Sequence, residues 1–159
     1  MDAARRVSAP RRGGWADELG FTIVELLVVM SIIGILVAVA LPVFLGARRV
    51  AEDRGVQADL RSGLAAALIY FAQAGDWDGF DATTADLTEP VLLWIDIGPP
   101  TGNQVAIAVH AGQDLLLVRR STSGTFFCVA QLASSPATDR GSGASFAAVD
   151  TVAECMGGW

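Results

Sequence analysis

The sequence has no lysine; all 11 of its basic residues are arginine. It has one histidine and two cysteines. Each scarcity removes a class of function. His110 has no nearby acid or nucleophile motif, so it offers no base for acid–base or covalent catalysis. It ends a strand-like stretch on the side of Ala106 and Ala108. Two cysteines, Cys128 and Cys155, with no histidine near them in sequence, are too few for a four-ligand zinc site. They read as a disulfide or as two unrelated thiols. There is no phosphate loop and no zinc spacing. Neither an enzyme activity, a cofactor nor a metal is therefore expected. The formal net charge is -6. An acidic chain does not suit a phosphate backbone, which needs clustered cations. Nucleic acid is excluded as the main partner.

What the chain does have is apolar sequence. The apolar fraction is 52% of 159 residues, and the mean hydropathy is +0.46. Much of the excess sits in one run, Leu26 to Leu45. As a helix this run would span about 30 Å, the thickness of a bilayer core. Only Ser31, Gly34 and Pro42 interrupt it, and membrane helices tolerate such residues. Residues 1–20 are polar, basic and punctuated by Pro10, Gly13 and Gly14, as in an unstructured leader.

From Ala47 to Ala74 the pattern becomes amphipathic. Val56, Leu60, Leu64, Ala67 and Phe71 recur at steps of three and four, which is one face of a helix. Gly75 is a stop signal. Gly55 and Gly63 each cost roughly 1 kcal/mol in a helix interior, so packing must hold this half. Residues 76–103 read as loop, with a short strand over Val91–Ile97. Three strands then follow at regular spacing: Gln104–His110, Asp114–Arg120 and Thr125–Leu132. The first alternates, placing Val105, Ile107 and Val109 on one face. The joints after His110 and Arg120 read as hairpin turns. Ala133–Trp159 is rich in Ser, Gly and Ala and weakly patterned. The fold class is α+β: a long N-terminal helix with a small antiparallel sheet packed on its second half.

At the start of the apolar run stands Gly20-Phe21-Thr22-Ile23-Val24-Glu25-Leu26. One acid, Glu25, sits at the lip of a span that otherwise wants lipid. Carboxylates in such spans are costly and usually functional. The segment resembles the N-termini of type IV pilins and type II secretion pseudopilins, which read G, then F, then T-x-x-E-L. The resemblance is specific over residues 20 to about 70 and extends to the rest only in layout. It implies cleavage by a prepilin peptidase after Gly20 and N-methylation of Phe21. It implies assembly through Phe21, Thr22 and Glu25, with Glu25 of one subunit meeting the Phe21 amine of its neighbour. Gly34 and Pro42 match a helix-loosening pair. The resemblance also implies that Cys128 and Cys155 close a C-terminal disulfide loop, worth roughly 3 kcal/mol in chain entropy.

The implied organisation is a cleaved leader over 1–20, a transmembrane and assembly half over 21–46, and an extracytoplasmic domain over 47–159. Arginines flank the span equally, so the positive-inside rule does not orient it. The motif does: leader in the cytoplasm, domain outside, first in the cytoplasmic membrane and then in a filament. The implied partners are copies of itself and related pilins, the peptidase, pilus or secretion assembly machinery, and lipid before assembly.

Three rival interpretations carry less. A secretory signal could end at Ala38-Val39-Ala40, but the apolar core is too long for one and Glu25 lies within the stretch. Asp76, Asp78 and Asp81 resemble a calcium loop, but the third acid falls at the sixth position, so they read as a solvated acidic loop. A permanently anchored extracytoplasmic binding domain would need no Glu25.

Overall fold

The computed structural model describes residues 20–132 and 134–159. The expected leader lies outside them, apart from Gly20. The side chain of His110 also lies outside the description. The chain divides into two compact units, one ending at Pro42 and one running from Val43 to Trp159. The helix α1 (Ile23–Ala74) contributes to both.

In the first unit every described residue is exposed. Large aliphatic side chains occur on all sides of α1 here, so no face is polar enough to mark a core side. The helical assignment continues through Gly34 and Pro42.

In the second unit α1 is amphipathic, and Val56, Leu60, Leu64 and Ala67 are buried, as their spacing predicts. Gly63 is part of that contact. A Cβ there would lie 3.0 Å from the Trp94 ring, so the glycine admits the indole. Gly75 ends the helix at φ +87, with its N–H on the Phe71 carbonyl at 2.8 Å.

Five strands form one sheet in the order β1-β2-β3-β4-β5: β1 (Leu93–Asp96), β2 (Gln104–Ala111), β3 (Asp114–Arg120), β4 (Phe126–Leu132) and β5 (Ser135–Gly143). All neighbours are antiparallel except β1 and β2, which are parallel. The α+β architecture is therefore as the sequence predicts. One face of the sheet, with Val105, Ile107, Leu115, Leu117, Phe127 and Val129, packs against α1. The other face, with Ala106, Leu116, Val118, Phe126, Cys128 and Ala130, is covered by the C-terminal segment through Val149 and Cys155. β3 is thus buried on both sides, which explains its unbroken apolar run.

Four local features depart from the sequence reading. Val109 does not share a face with Val105 and Ile107. A bulge between Ile107 and Val109 shifts the register, and Val109 joins the opposite cluster. The segment read as loop contains a short helix, α2 (Ala82–Thr88), set by a reciprocal Asp81–Thr84 capping box. The short strand is confined to Leu93–Asp96. The weakly patterned C-terminal stretch contains β5, whose Gly141 and Gly143 lie close under the C-terminal segment. A Cβ on Gly141 would come within 2.8 Å of the Met156 backbone, and one on Gly143 within 2.8 Å of Ala148. Small residues are needed there, and they erase the apolar alternation that marks a strand.

Candidate processing and assembly site

The residues singled out at the N-terminus come together at the first turn of α1. Thr22 precedes the first helical residue. Its N–H donates to Glu25 Oε2 at 2.9 Å, and its hydroxyl donates to the same oxygen at 2.8 Å. The Glu25 N–H in turn donates to Thr22 Oγ1 at 3.2 Å. This reciprocal pairing is a T-x-x-E capping box, which satisfies backbone donors that a helix start leaves open. Glu25 also places negative charge at the positive end of the helix. The threonine and the glutamate of the motif therefore act as one unit. That pairing was open to sequence inspection, because the spacing alone specifies it. Only Oε2 is used; among the described residues Glu25 Oε1 has no partner.

Gly20 and Phe21 lie just before this turn and are exposed, Phe21 at 80%. Downstream, α1 is long and apolar enough to cross a membrane, with mean hydropathy 2.9 in its most apolar window and none of that window buried. Gly34 and Pro42 lie along this stretch. Cys128 and Cys155 are remote in sequence and belong to the second unit, where they form a disulfide with Cα atoms 5.8 Å apart.

A family model described as the prokaryotic N-terminal methylation motif matches residues 15–41. The chain carries the type IV pilin and pseudopilin signature. The match covers the end of the expected leader, the Gly20–Phe21 bond, the capping box and most of the apolar stretch. Comparison with curated proteins and with solved structures returned no match.

The second unit holds polar chemistry that the sequence did not announce. The β3–β4 turn is fastened to α1 by carboxylates. Asp53 Oδ1 accepts from the hydroxyls of Ser121, at 2.5 Å, and Ser123, at 2.7 Å. Glu52 accepts from the Thr122 hydroxyl and pairs with Arg48 at 2.8 Å. These contacts, the Thr122 hydroxyl first and then Arg48, hold the Glu52 carboxyl below its ordinary range. Arg119, buried in β3, pairs with Asp59 of α1. Hydroxyls some seventy residues from their acceptors give no local signal in a sequence.

The acids of the Asp76–Asp81 loop serve the fold. Asp76 accepts from the Asp78 N–H, Asp78 from the Gly112 N–H at 2.9 Å, and Asp81 caps α2. Among the described residues no group of three or more His, Cys, Asp or Glu side chains could hold a metal ion.

Proposed function

We propose that this chain is a structural subunit of a type IV pilus or a type II secretion pseudopilus. A prepilin peptidase cuts it between Gly20 and Phe21, Phe21 is N-methylated, and the product polymerises through its apolar helix. The observation that carries this reading is the position of Glu25. A single carboxylate stands at the head of an uncovered apolar helix, five residues after the glycine of a methylation motif.

The chemistry follows from burial. Apolar side chains on every side of α1 need lipid, or the helices of other copies, around them. When helices replace lipid, Glu25 enters an apolar bundle, where an unpaired charge is strongly unfavourable. Cleavage supplies the missing partner. It converts the Phe21 amide nitrogen into a free amine four residues before Glu25. An amine from one copy and the open Oε1 of the next make a charge-assisted contact that sets axial register. The uncut leader withholds that amine, so processing licenses assembly. Thr22 keeps the carboxylate oriented through its two bonds to Oε2. Gly34 and Pro42 bracket a stretch that unwinds on assembly, because Pro42 cannot donate to the Ala38 carbonyl. In this scheme residues 1–20 are the leader, 21–46 the anchor and assembly half, and 47–159 the domain outside the cell membrane.

The test is substitution of Glu25. Glu25→Ala keeps the anchor and the scissile bond, so the protein should still reach the membrane and be cut. Loss of one partner of a buried pair costs about 3–5 kcal/mol at every junction, so sheared filaments should disappear from electron micrographs. Glu25→Gln should give an intermediate defect. A normal filament yield from Glu25→Ala contradicts the pairing.

A further inference from the structure

The β5 end of the sheet is closed by a short piece of chain, Met156–Trp159. β5 is an edge strand of nine residues, and the free side of an edge offers main-chain donors and acceptors to any extended segment. Part of that side is already taken. The Gly158 N–H donates to the Arg140 carbonyl at 2.8 Å, and Gly157 forms an antiparallel bridge with Gly141. The path of this piece runs from one face of the sheet to the other. Cys155 belongs to the outer cluster, tied to Cys128 by the disulfide. Trp159 packs on the inner cluster, with its ring centre 6.4 Å from that of Phe127. Among the described residues after β5, only Trp159 joins the inner cluster. The chain therefore turns around the β5 edge in four residues. Gly157 and Gly158 make the turn with φ of +97 and +78, which other residues adopt only with strain.

One side chain holds this piece in place. Met156, Gly157 and Gly158 are exposed, and the two glycines have no side chain to anchor them. Trp159 is half-buried, and its indole N–H donates to the Cys128 carbonyl at 2.9 Å. The Arg61 guanidinium of α1 lies over the indole at 4.9 Å from the ring centre, and that of Arg140 of β5 at 5.4 Å. Cations over an indole face are attracted to it. Among the described residues neither guanidinium pairs with a carboxylate. The ring thus joins α1, β4 and β5 at one point. Segments with so few buried contacts open locally, at far less cost than global unfolding.

We propose that Met156–Trp159 is a strap that guards the β5 edge against strand addition, with Trp159 as its lock. Closed, the strap occupies the Arg140 carbonyl and lies against Gly141. Open, it leaves the second half of β5 free to pair with an extended strand. The simplest complement is the same edge of a second copy, since two identical edges pair antiparallel and symmetrically. Arg61 brings α1 into the lock, so the helix helps to set how readily the edge opens. The strap and all its contacts lie in the second unit, and the proposal stands apart from the filament reading.

The test uses the full chain in detergent, with amide exchange read by mass spectrometry and a reporter thiol at the exposed Ser142, as Ser142→Cys. The native cysteines are joined to each other, so the added thiol is the reactive one. Trp159→Ala removes the ring and its N–H together, and should speed exchange over residues 139–143 and 156–159 about tenfold. A short bismaleimide should then link Ser142→Cys copies to each other about tenfold more readily than with the lock intact. Exchange in β3 should stay as it was. Trp159→Phe keeps a ring and loses the N–H, so it should fall between. Arg61→Gln alters an exposed residue of α1 and leaves both buried clusters untouched, yet it should speed the same exchange about threefold. That variant keeps the test decisive if Trp159→Ala fails to fold. Equal loss of protection in β3 would make Trp159 an ordinary core residue and overturn the proposal. So would unchanged exchange over residues 139–143 in Arg61→Gln, or an opened strap with no gain in self-linking.

Discussion

The two units of this chain use similar aliphatic residues for opposite ends. Up to Pro42, leucine, isoleucine and valine occur on every side of α1 and none is buried. From Val43 onward the same residue types occur at steps of three and four on the helix and in the strands of the sheet, and they make two buried clusters. The difference lies in periodicity, not in composition. A sequence with one apolar face can satisfy itself within a single chain. A sequence apolar all round cannot, and must take its cover from lipid or from other chains.

The largest expected effect separates the units directly. Leu60 is fully buried between α1 and the sheet. Leu60→Ala should lower the unfolding free energy of the full chain in detergent by about 2–5 kcal/mol. Leu36→Ala, in the uncovered stretch, should leave the denaturant midpoint of the second unit unchanged. Equal effects from the two substitutions would erase the distinction.

Next is the disulfide, which ties the C-terminal segment to the outer face of β4. Replacing Cys128 and Cys155 with serine should cost about 3–4 kcal/mol. Hydrogen exchange should then rise first in residues 144–159, because the α1 side of the sheet does not depend on the bond. Uniform loss of protection would show that the two faces of the sheet are not separable.

A smaller effect is expected at Gly141. Its missing Cβ would lie within 2.8 Å of Met156 N and O. Gly141→Ala must push the C-terminal segment outward, at about 1–3 kcal/mol. Combined with the cysteine replacement, its cost should shrink, since the two act on one segment. Full additivity in chemical unfolding would argue against a shared segment.

The smallest effect is electrostatic. Glu52 and Asp81 are both held below their ordinary pKa by hydrogen bonds, to Thr122 and to Thr84 respectively. A carboxyl depressed in the folded state adds stability above its unfolded pKa, near 4.5 for Glu and 3.8 for Asp. That contribution is lost as pH falls through the folded value. The melting temperature should therefore decline below about pH 4.5, and Glu52→Gln should flatten part of the decline. A stability that rises on acidification over that window would contradict these contacts.

The sequence made both kinds of periodicity legible, and with them α1, β2, β3 and β4. It made the N-terminal methylation motif legible too, because Gly20, Phe21, Thr22 and Glu25 fall within six residues and the Thr22–Glu25 pairing is local. What stayed hidden was set by tertiary contact. β5 reads as coil because Gly141 must be small beneath the Met156 main chain and Gly143 beneath the Ala148 and Val149 side chains. Val109 changed faces because a bulge moves the register by one residue, which period-2 counting does not register. The bonds from Asp53 to Ser121 and Ser123 join positions that only the fold brings together.

The central claim is that this chain is a processed subunit, and the N-terminus of the mature protein tests it most directly. Membranes from cells with a functional prepilin peptidase should yield a protein whose sequence begins at Phe21 and continues Thr-Ile-Val-Glu, with the mass of Phe21 raised by one methyl group. The same cells lacking the peptidase should yield the chain with its leader intact. A mature start at Leu41, or an uncut chain in the presence of the peptidase, would contradict the account.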